Sequence, residues 1–270
     1  MKRQHPAYHT VCGVFCMFLV LKVEPYVPKK GLFSRLVRKT PPVVTRVAVR
    51  GGAYFYLAAV TPDRRGRADF SPLLSLGGCV KRVVPAGSLP TLPAPFALYA
   101  PQLAPAKLFL HTALCDFAKR RRTFASLGFS DPAGLLAGEI GAFAPFAGEL
   151  RVFTNAPQRY AAAEEQVLCK WGLPLVLTDR ESALAGCAAR LFPFKKNGPH
   201  YPGALEADGE RRTPSGLRLP PETEKRRPAG ADPLLFLSAL HELCGAPLSA
   251  DLCFDALCPD FAGERLDTPR

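Results

Sequence analysis

The 270-residue chain is 48% hydrophobic and 21% charged, which excludes fibrous, collagen-like and fully disordered proteins. It is long enough to bury a sizeable core, in one large domain or two smaller ones. Its 35 Lys and Arg against 23 Asp and Glu give a net charge of +12. That surplus favours anionic partners such as phosphorylated ligands, nucleic acid or an acidic membrane face, but net charge acts on solubility and non-specific binding rather than on fold. The nine Cys are odd in number and scattered among apolar residues. A secreted disulfide framework is therefore not expected, and reduced core cysteines in a cytoplasmic protein are.

Lys2 and Arg3 precede an apolar run from Val11 to Leu21. The run has the length of a signal-peptide core, but Lys22, Glu24 and Pro25 stand where a small-residue cleavage site would follow. It also falls short of the roughly 20 residues a membrane span needs. A buried strand is the expectation, a signal or anchor the alternative, and no transmembrane segment is expected. A second strand covers Val43 to Val49 and continues past Gly51-Gly52 into Ala53 to Val60, the glycines making a hairpin turn or a bulge. The basic stretch 29–39 reads as a solvated connector, or as a helix with a basic face.

Prolines interrupt residues 61–105 so often that long helices are excluded. A short helix around Leu73 to Leu76 and a strand at Cys79 to Val84 fit there, followed by a helix from Ala106 to Ala118. Lys119, Arg120, Arg121 and Arg122 close that helix, where cations complement the negative end of its dipole.

Three apolar runs follow at a 24-residue step, ending in Ser130-Asp131, Thr154-Asn155 and Thr178-Asp179. The step is one strand, one helix and two short turns, so it predicts successive parallel βα units. The helices are expected at about Ala133 to Phe143, up to Trp171 with Gly172 as its left-handed cap, and Glu181 to Leu191. Residues 193–231 turn rich in Pro, Gly and charge, and read as a flexible insertion: a lid, a disordered insertion or a linker. Asp232-Pro233 opens a helix that Gly245 ends, and a short apolar piece spans Leu252 to Leu257. Both are expected to pack on the α/β section.

The fold class expected is thus α/β, with Rossmann-like parallel βα units at about residues 123–192. The domains are a β-rich portion at 1–105, the α/β section at 106–192, the insertion at 193–231 and a C-terminal helical cap at 232–270.

Motif tests remove the common chemistries. Gly128, Gly134 and Gly138 do not make G-x-G-x-x-G, and the acid that would bind a ribose is replaced by the Thr154-Asn155 region with Arg159 nearby. An NADP-dependent oxidoreductase with a degenerate glycine loop is one alternative. No Gly-Lys-Ser or Gly-Lys-Thr occurs, which excludes a P-loop. Pro132 replaces the second glycine of a nucleophile elbow at Ser130. His5, His9, Cys12 and Cys16 on one helix would spread over about 16 Å, too far for one tetrahedral metal. His241, Cys244, Cys253 and Cys258 lie among leucines as core residues, so no metal is assigned.

What remains is a row of polar strand tips. Parallel sheets bind ligands beyond the carboxyl ends of their strands, so Ser130, Asp131, Thr154, Asn155, Thr178, Asp179 and Arg159 are the candidate contacts for a small anionic ligand. Asp131, Asn155 and Asp179 serve equally as helix caps. No nucleophile or general base follows from spacing, so neither a reaction nor a cofactor is assigned. A further alternative is a non-catalytic binder of nucleic acid or anionic surfaces through the basic groups at 29–39, 119–122 and 211–227.

Overall fold

The computed structural model describes residues 18–25, 42–49, 53–63, 65, 67–76, 81–194, 203–248, 252 and 254–259. In chain order the strands and helices begin with β1 (Leu19–Val23), β2 (Val43–Ala48), β3 (Tyr54–Val60), β4 (Arg82–Pro85), β5 (Ala97–Leu98) and α1 (Ala104–Arg120). Then come β6 (Leu127–Ser130), α2 (Ala137–Ile140), β7 (Leu150–Phe153), α3 (Ala161–Trp171), β8 (Leu175–Thr178) and β9 (Ala189–Phe192). The chain continues through β10 (Ala204–Ala207), β11 (Glu210–Leu217), α4 (Pro221–Glu224), α5 (Pro233–Cys244) and β12 (Phe254–Pro259). The fold is α/β, with parallel strands in two mixed sheets. Two compact units divide it, one drawn from Met1–Tyr99 and Glu222–Pro247, the other from Ala100–Pro221 and Leu248–Arg270.

The first unit is a five-stranded sheet in the order β2-β3-β1-β4-β5. β1 lies between parallel neighbours β3 and β4, and its Leu19, Val20 and Leu21, which point alternately to the two faces, are all buried. On one face Leu19, Leu21, Ala58, Val60 and Val83 pack with Leu73 and Phe96. On the other, Phe18 stacks on Phe55 at 5.1 Å, and Phe236 of α5 meets the Phe55 ring edge-on at 5.4 Å. α5 starts as its sequence predicts, with the Asp232 side chain accepting from the Leu235 amide at 2.8 Å. It ends at Gly245 with φ 68°. Tyr99 donates to Glu242 on α5 at 2.8 Å. The helix therefore belongs to this unit rather than to the α/β section, where the sequence led us to expect it. An amphipathic pattern says that a face must be buried, not against what.

The second unit is a seven-stranded sheet in the order β12-β11-β10-β9-β6-β7-β8. β9, β6, β7 and β8 are parallel, and β10 to β12 add antiparallel ladders at one side. Successive strands β6, β7 and β8 step one way and β9 returns to the other side of β6, so the order reverses between β6 and β9. One face carries Leu127, Phe129, Leu150, Val152, Leu175 and Leu191 into a core with α1 and α3. There Phe117 and Phe129 both pack edge-on against Phe143, at 6.0 and 5.0 Å.

Residues 204–217, expected to be part of a flexible insertion, form the β10-β11 hairpin instead. Its turn is Asp208-Gly209, both at positive φ (56° and 78°), the backbone that tight hairpins require. Gly203 holds φ 123°, and a Cβ there would lie 2.8 Å from the Phe109 ring of α1 and 2.9 Å from the Phe192 carbonyl. Only glycine lets β10 enter the sheet under that helix.

The basic stretch 29–39, the Gly51-Gly52 pair, the His5, His9, Cys12 and Cys16 set, and Cys253 lie outside the described residues. Among the described residues no helix is long and apolar enough to cross a membrane, and no three His, Cys, Asp or Glu group to hold a metal.

Candidate functional site

The carboxyl ends of β6, β7 and β8 lie side by side, with Ser130, Phe153 and Thr178 in register across the sheet. Thr154 is one residue beyond, its amide bonded to the Thr178 carbonyl at 2.9 Å. The pleat then divides the expected row. Ser130 and Thr178 project to one face, and Asp131 and Thr154 to the helical face, because side chains alternate along each strand.

Asp131 is 0% exposed. Its Oδ1 accepts from the Leu135 amide at 3.0 Å, while Oδ2 accepts from the Leu136 amide at 2.8 Å and the Tyr160 hydroxyl at 2.6 Å. These partners lie four and five residues on and across the next βα turn. The carboxylate thus organises the 131–136 loop rather than capping a helix at the usual second or third amide. That loop, with Pro132 and Gly134, delays α2 to a four-residue turn at Ala137. After β8 the chain enters a 3-10 turn at Glu181–Gly186. Of the three helices expected behind these tips, only α3, led in by the 3-10 turn Pro157–Tyr160, runs for several turns.

Thr154 is also buried, its Oγ1 accepting from the Ala156 amide at 3.1 Å, and Thr178 Oγ1 accepts from the Arg180 amide at 3.2 Å. Asn155, Asp179 and Arg159 are exposed. Asn155 is held against the first loop, its amide donating to the Pro132 carbonyl at 2.9 Å. Arg159 lies across the same loop. A Cβ at Gly134, whose φ is 66°, would sit 2.9 Å from Arg159 Cδ. A side chain at 134 would thus be strained by the backbone and would crowd the arginine stem and Ala156. Among the described residues Arg159 has no ion-pair partner.

The opposite face holds a contact that spacing did not reveal. Ser130 donates to Glu181 Oε1 at 2.9 Å, joining the tip of β6 to the turn after β8. In sequence Glu181 reads only as an acid in a first helical turn. Beside this pair Gly128 is closed, since a Cβ there would meet Cys187 Sγ at 3.1 Å and Leu184 at 3.4 Å. On this face the Gly128 backbone is covered by the 181–186 turn and Cys187.

Tyr160 is 0% exposed, and burial first, then its bond to Asp131, raises its phenol above the ordinary 10.0. A phenol held protonated in the fold stabilises it in full below pH 10, and the contribution is lost as pH rises further. Urea midpoints are expected to fall from pH 9.5 to 11 for the wild type. Tyr160→Phe starts about 1–2 kcal/mol less stable at neutral pH and loses less over that interval. An equal alkaline slope in both proteins would contradict this.

The basic groups expected to form an anionic-surface patch are largely paired where they are described. Arg120 bridges Asp116 at 2.7 Å, Arg122 Asp208 at 3.4 Å, Arg211 Glu206 at 3.2 Å and Arg212 Glu210 at 2.6 Å. Lys225 and Arg227 pair with Glu222 and Glu224. Each such pair offsets one cation locally, while the chain as a whole keeps its net charge of +12.

No protein-family model, no curated protein and no solved structure matches this chain.

Proposed function

We propose that the second unit is a Rossmann-like module binding a small anionic ligand at the carboxyl ends of β6 and β7. The observation that carries this reading is Arg159: an exposed guanidinium without a carboxylate among the described residues, seated over the positive-φ loop at Gly134. Arg120, Arg122, Arg151, Arg190, Arg211 and Arg212 of the same unit are paired, whereas Arg121 and Arg180, like Arg159, are exposed with no ion-pair partner among the described residues. An unpaired planar fork suits a phosphate or carboxylate. Asn155 adds an adjacent polar contact. Asp179 lies at the neighbouring tip, Asp131 and Thr154 hold the loops of this corner from the helical face, and Ser130 and Thr178 point to the other face of the sheet. The reversal of strand order between β6 and β9 supports a ligand crevice at the carboxyl end of β6. Binding without chemistry is the function proposed, since Ser130 is 4% exposed and its only described side-chain partner is Glu181.

A thermal-shift panel of inorganic phosphate, sugar phosphates, mononucleotides and dicarboxylates tests it. A ligand at a hundred times its dissociation constant adds about 2.7 kcal/mol of stability. Arg159→Ala should weaken the ligand found by about tenfold or more, the loss of a charge-assisted hydrogen bond. Unchanged affinity in Arg159→Ala would sink the assignment.

A further inference from the structure

α1 carries a nucleophile and a base one turn apart. His111 and Cys115 stand four residues apart, so they share a face of the helix, and His111 Nε2 lies 3.7 Å from Cys115 Sγ. The other end of the ring settles which nitrogen holds the proton. Nδ1 lies 2.9 Å from the Leu252 carbonyl, which can only accept, so Nδ1 donates and Nε2 of the neutral imidazole turns a lone pair to the sulfur. That carbonyl is itself held against the helix, since Thr112 Oγ1 accepts from the Phe254 amide at 2.9 Å where β12 begins. Nucleophile, base and orienting acceptor are thus linked in one chain of contacts, the arrangement by which a protein activates a thiol.

The sulfur is accessible, and its surroundings favour an anion. Cys115 is exposed and His111 half-buried. Lys119 follows Cys115 by one further turn on the same face, exposed and without an ion-pair partner among the described residues. The neighbouring acids have partners: Asp116 bridges Arg120 at 2.7 Å, and Asp255 of β12, the strand packed on α1, bridges Arg218 at 3.4 Å. Exposed Cys169 on α3 makes the contrast, with Glu165 in the place one turn earlier that His111 takes before Cys115.

We propose that Cys115 is a site of reversible S-thiolation by anionic low-molecular-weight disulfides, with His111 as its base and Lys119 drawing the anion. The thiol proton passes to His111 Nε2, and the thiolate attacks one sulfur of the disulfide. A sulfur–sulfur bond to Cys115 forms as the reagent's own breaks, and the departing thiolate takes the proton back from the imidazolium. The Cys115 thiol is oxidised to a mixed disulfide while half of the reagent is reduced to a thiol, so no other oxidant is needed. The transfer does not require that Cys115 touch His111 alone, only that Nε2 be in reach as the proton leaves. The site lies on another element from Arg159 and needs no part of that corner.

The test treats the full chain with oxidised glutathione, which is anionic, or with hydroxyethyl disulfide, which is neutral, and follows each mixed disulfide cysteine by cysteine by mass spectrometry. At neutral pH Cys115 should react about tenfold or more faster than Cys169 with the neutral reagent, and excess dithiothreitol should restore the thiol. His111→Gln keeps an amide donor for the Leu252 carbonyl but supplies no base, and should bring Cys115 to within about threefold of Cys169. Fraying of α1 would instead uncover the sulfur and raise its rate, so a fall reports the lost base. Trp171 fluorescence in urea, from the same unit, checks that the variant folds. Lys119→Gln, at an exposed position, should slow oxidised glutathione about threefold and leave hydroxyethyl disulfide unaffected. Parity of Cys115 and Cys169 in the wild type, an undiminished rate in His111→Gln, or equal effects of Lys119→Gln on the two reagents overturns the inference.

Discussion

Asp131→Ala is expected to cost about 3–5 kcal/mol, the largest effect among the strand-tip residues. The substitution removes one buried carboxylate and strands three donors at once: the amides of Leu135 and Leu136 and the hydroxyl of Tyr160. Hydrogen bonds to a charged acceptor contribute about 1.5–3 kcal/mol each, and a buried donor left without a partner adds its desolvation cost. The three do not sum, because the 131–136 loop relaxes and admits water once its anchor is gone. Trp171 is the chain's single tryptophan and belongs to the same unit, so its fluorescence in urea follows the relevant transition. The midpoint should fall by more than about 1 M. A variant within about 0.5 kcal/mol of wild type would mean that the Asp131 contacts contribute nothing to stability. Asp131→Asn offers a graded comparison. One amide oxygen can still accept, but the NH₂ group must face a donor, so an intermediate loss is expected.

Phe236→Ala should be comparable, at about 3–5 kcal/mol, but in the other unit. The ring is fully buried on α5 and packs edge-on against Phe55 and Phe18, at 5.4 and 6.3 Å. Truncation loses the transfer free energy of the ring and leaves a cavity that the stiff strands β1 and β3 cannot collapse into. Trp171 does not belong to this unit, so amide hydrogen exchange of β1 and β3 is the measurement, and their protection should drop by two or more orders of magnitude, roughly the exchange equivalent of that loss. Leu234→Ala, two positions away and only half-buried, should change it far less. Equal effects of the two substitutions would deny Phe236 its place in this core.

Both predictions concern features that the sequence named and only the structure interpreted. Asp131 is legible as a polar residue at a strand end beside a proline, a description shared by ligand contacts, helix caps and loop anchors. Its role follows from Tyr160, 29 residues away and brought alongside only when β6 and β7 pair. Glu181 was invisible as a site residue for the same reason, since nothing local distinguishes it from any acid at the start of a helix. The hairpin at 204–217 is a different case. Asp208-Gly209 is a turn signal that was present in the sequence, but Pro214 and the surrounding charges masked the strands on either side of it.

The sequence by itself determined what local physics can determine. The 24-residue alternation of apolar run and helix set three parallel strands with Ser130, Thr154 and Thr178 at their tips. Asp232, Pro233 and Gly245 set the limits of α5, and Gly172 set the end of α3. Tertiary structure alone decided that the tips split between two faces, because side-chain direction depends on register to a single residue. It alone decided that Asp131 is consumed inside the fold while Arg159 remains available, and that α5 packs on the first sheet. Each of these rests on partners distant in sequence, and the energy of burying a face or satisfying a carboxylate is the same whichever part of the chain supplies the other half.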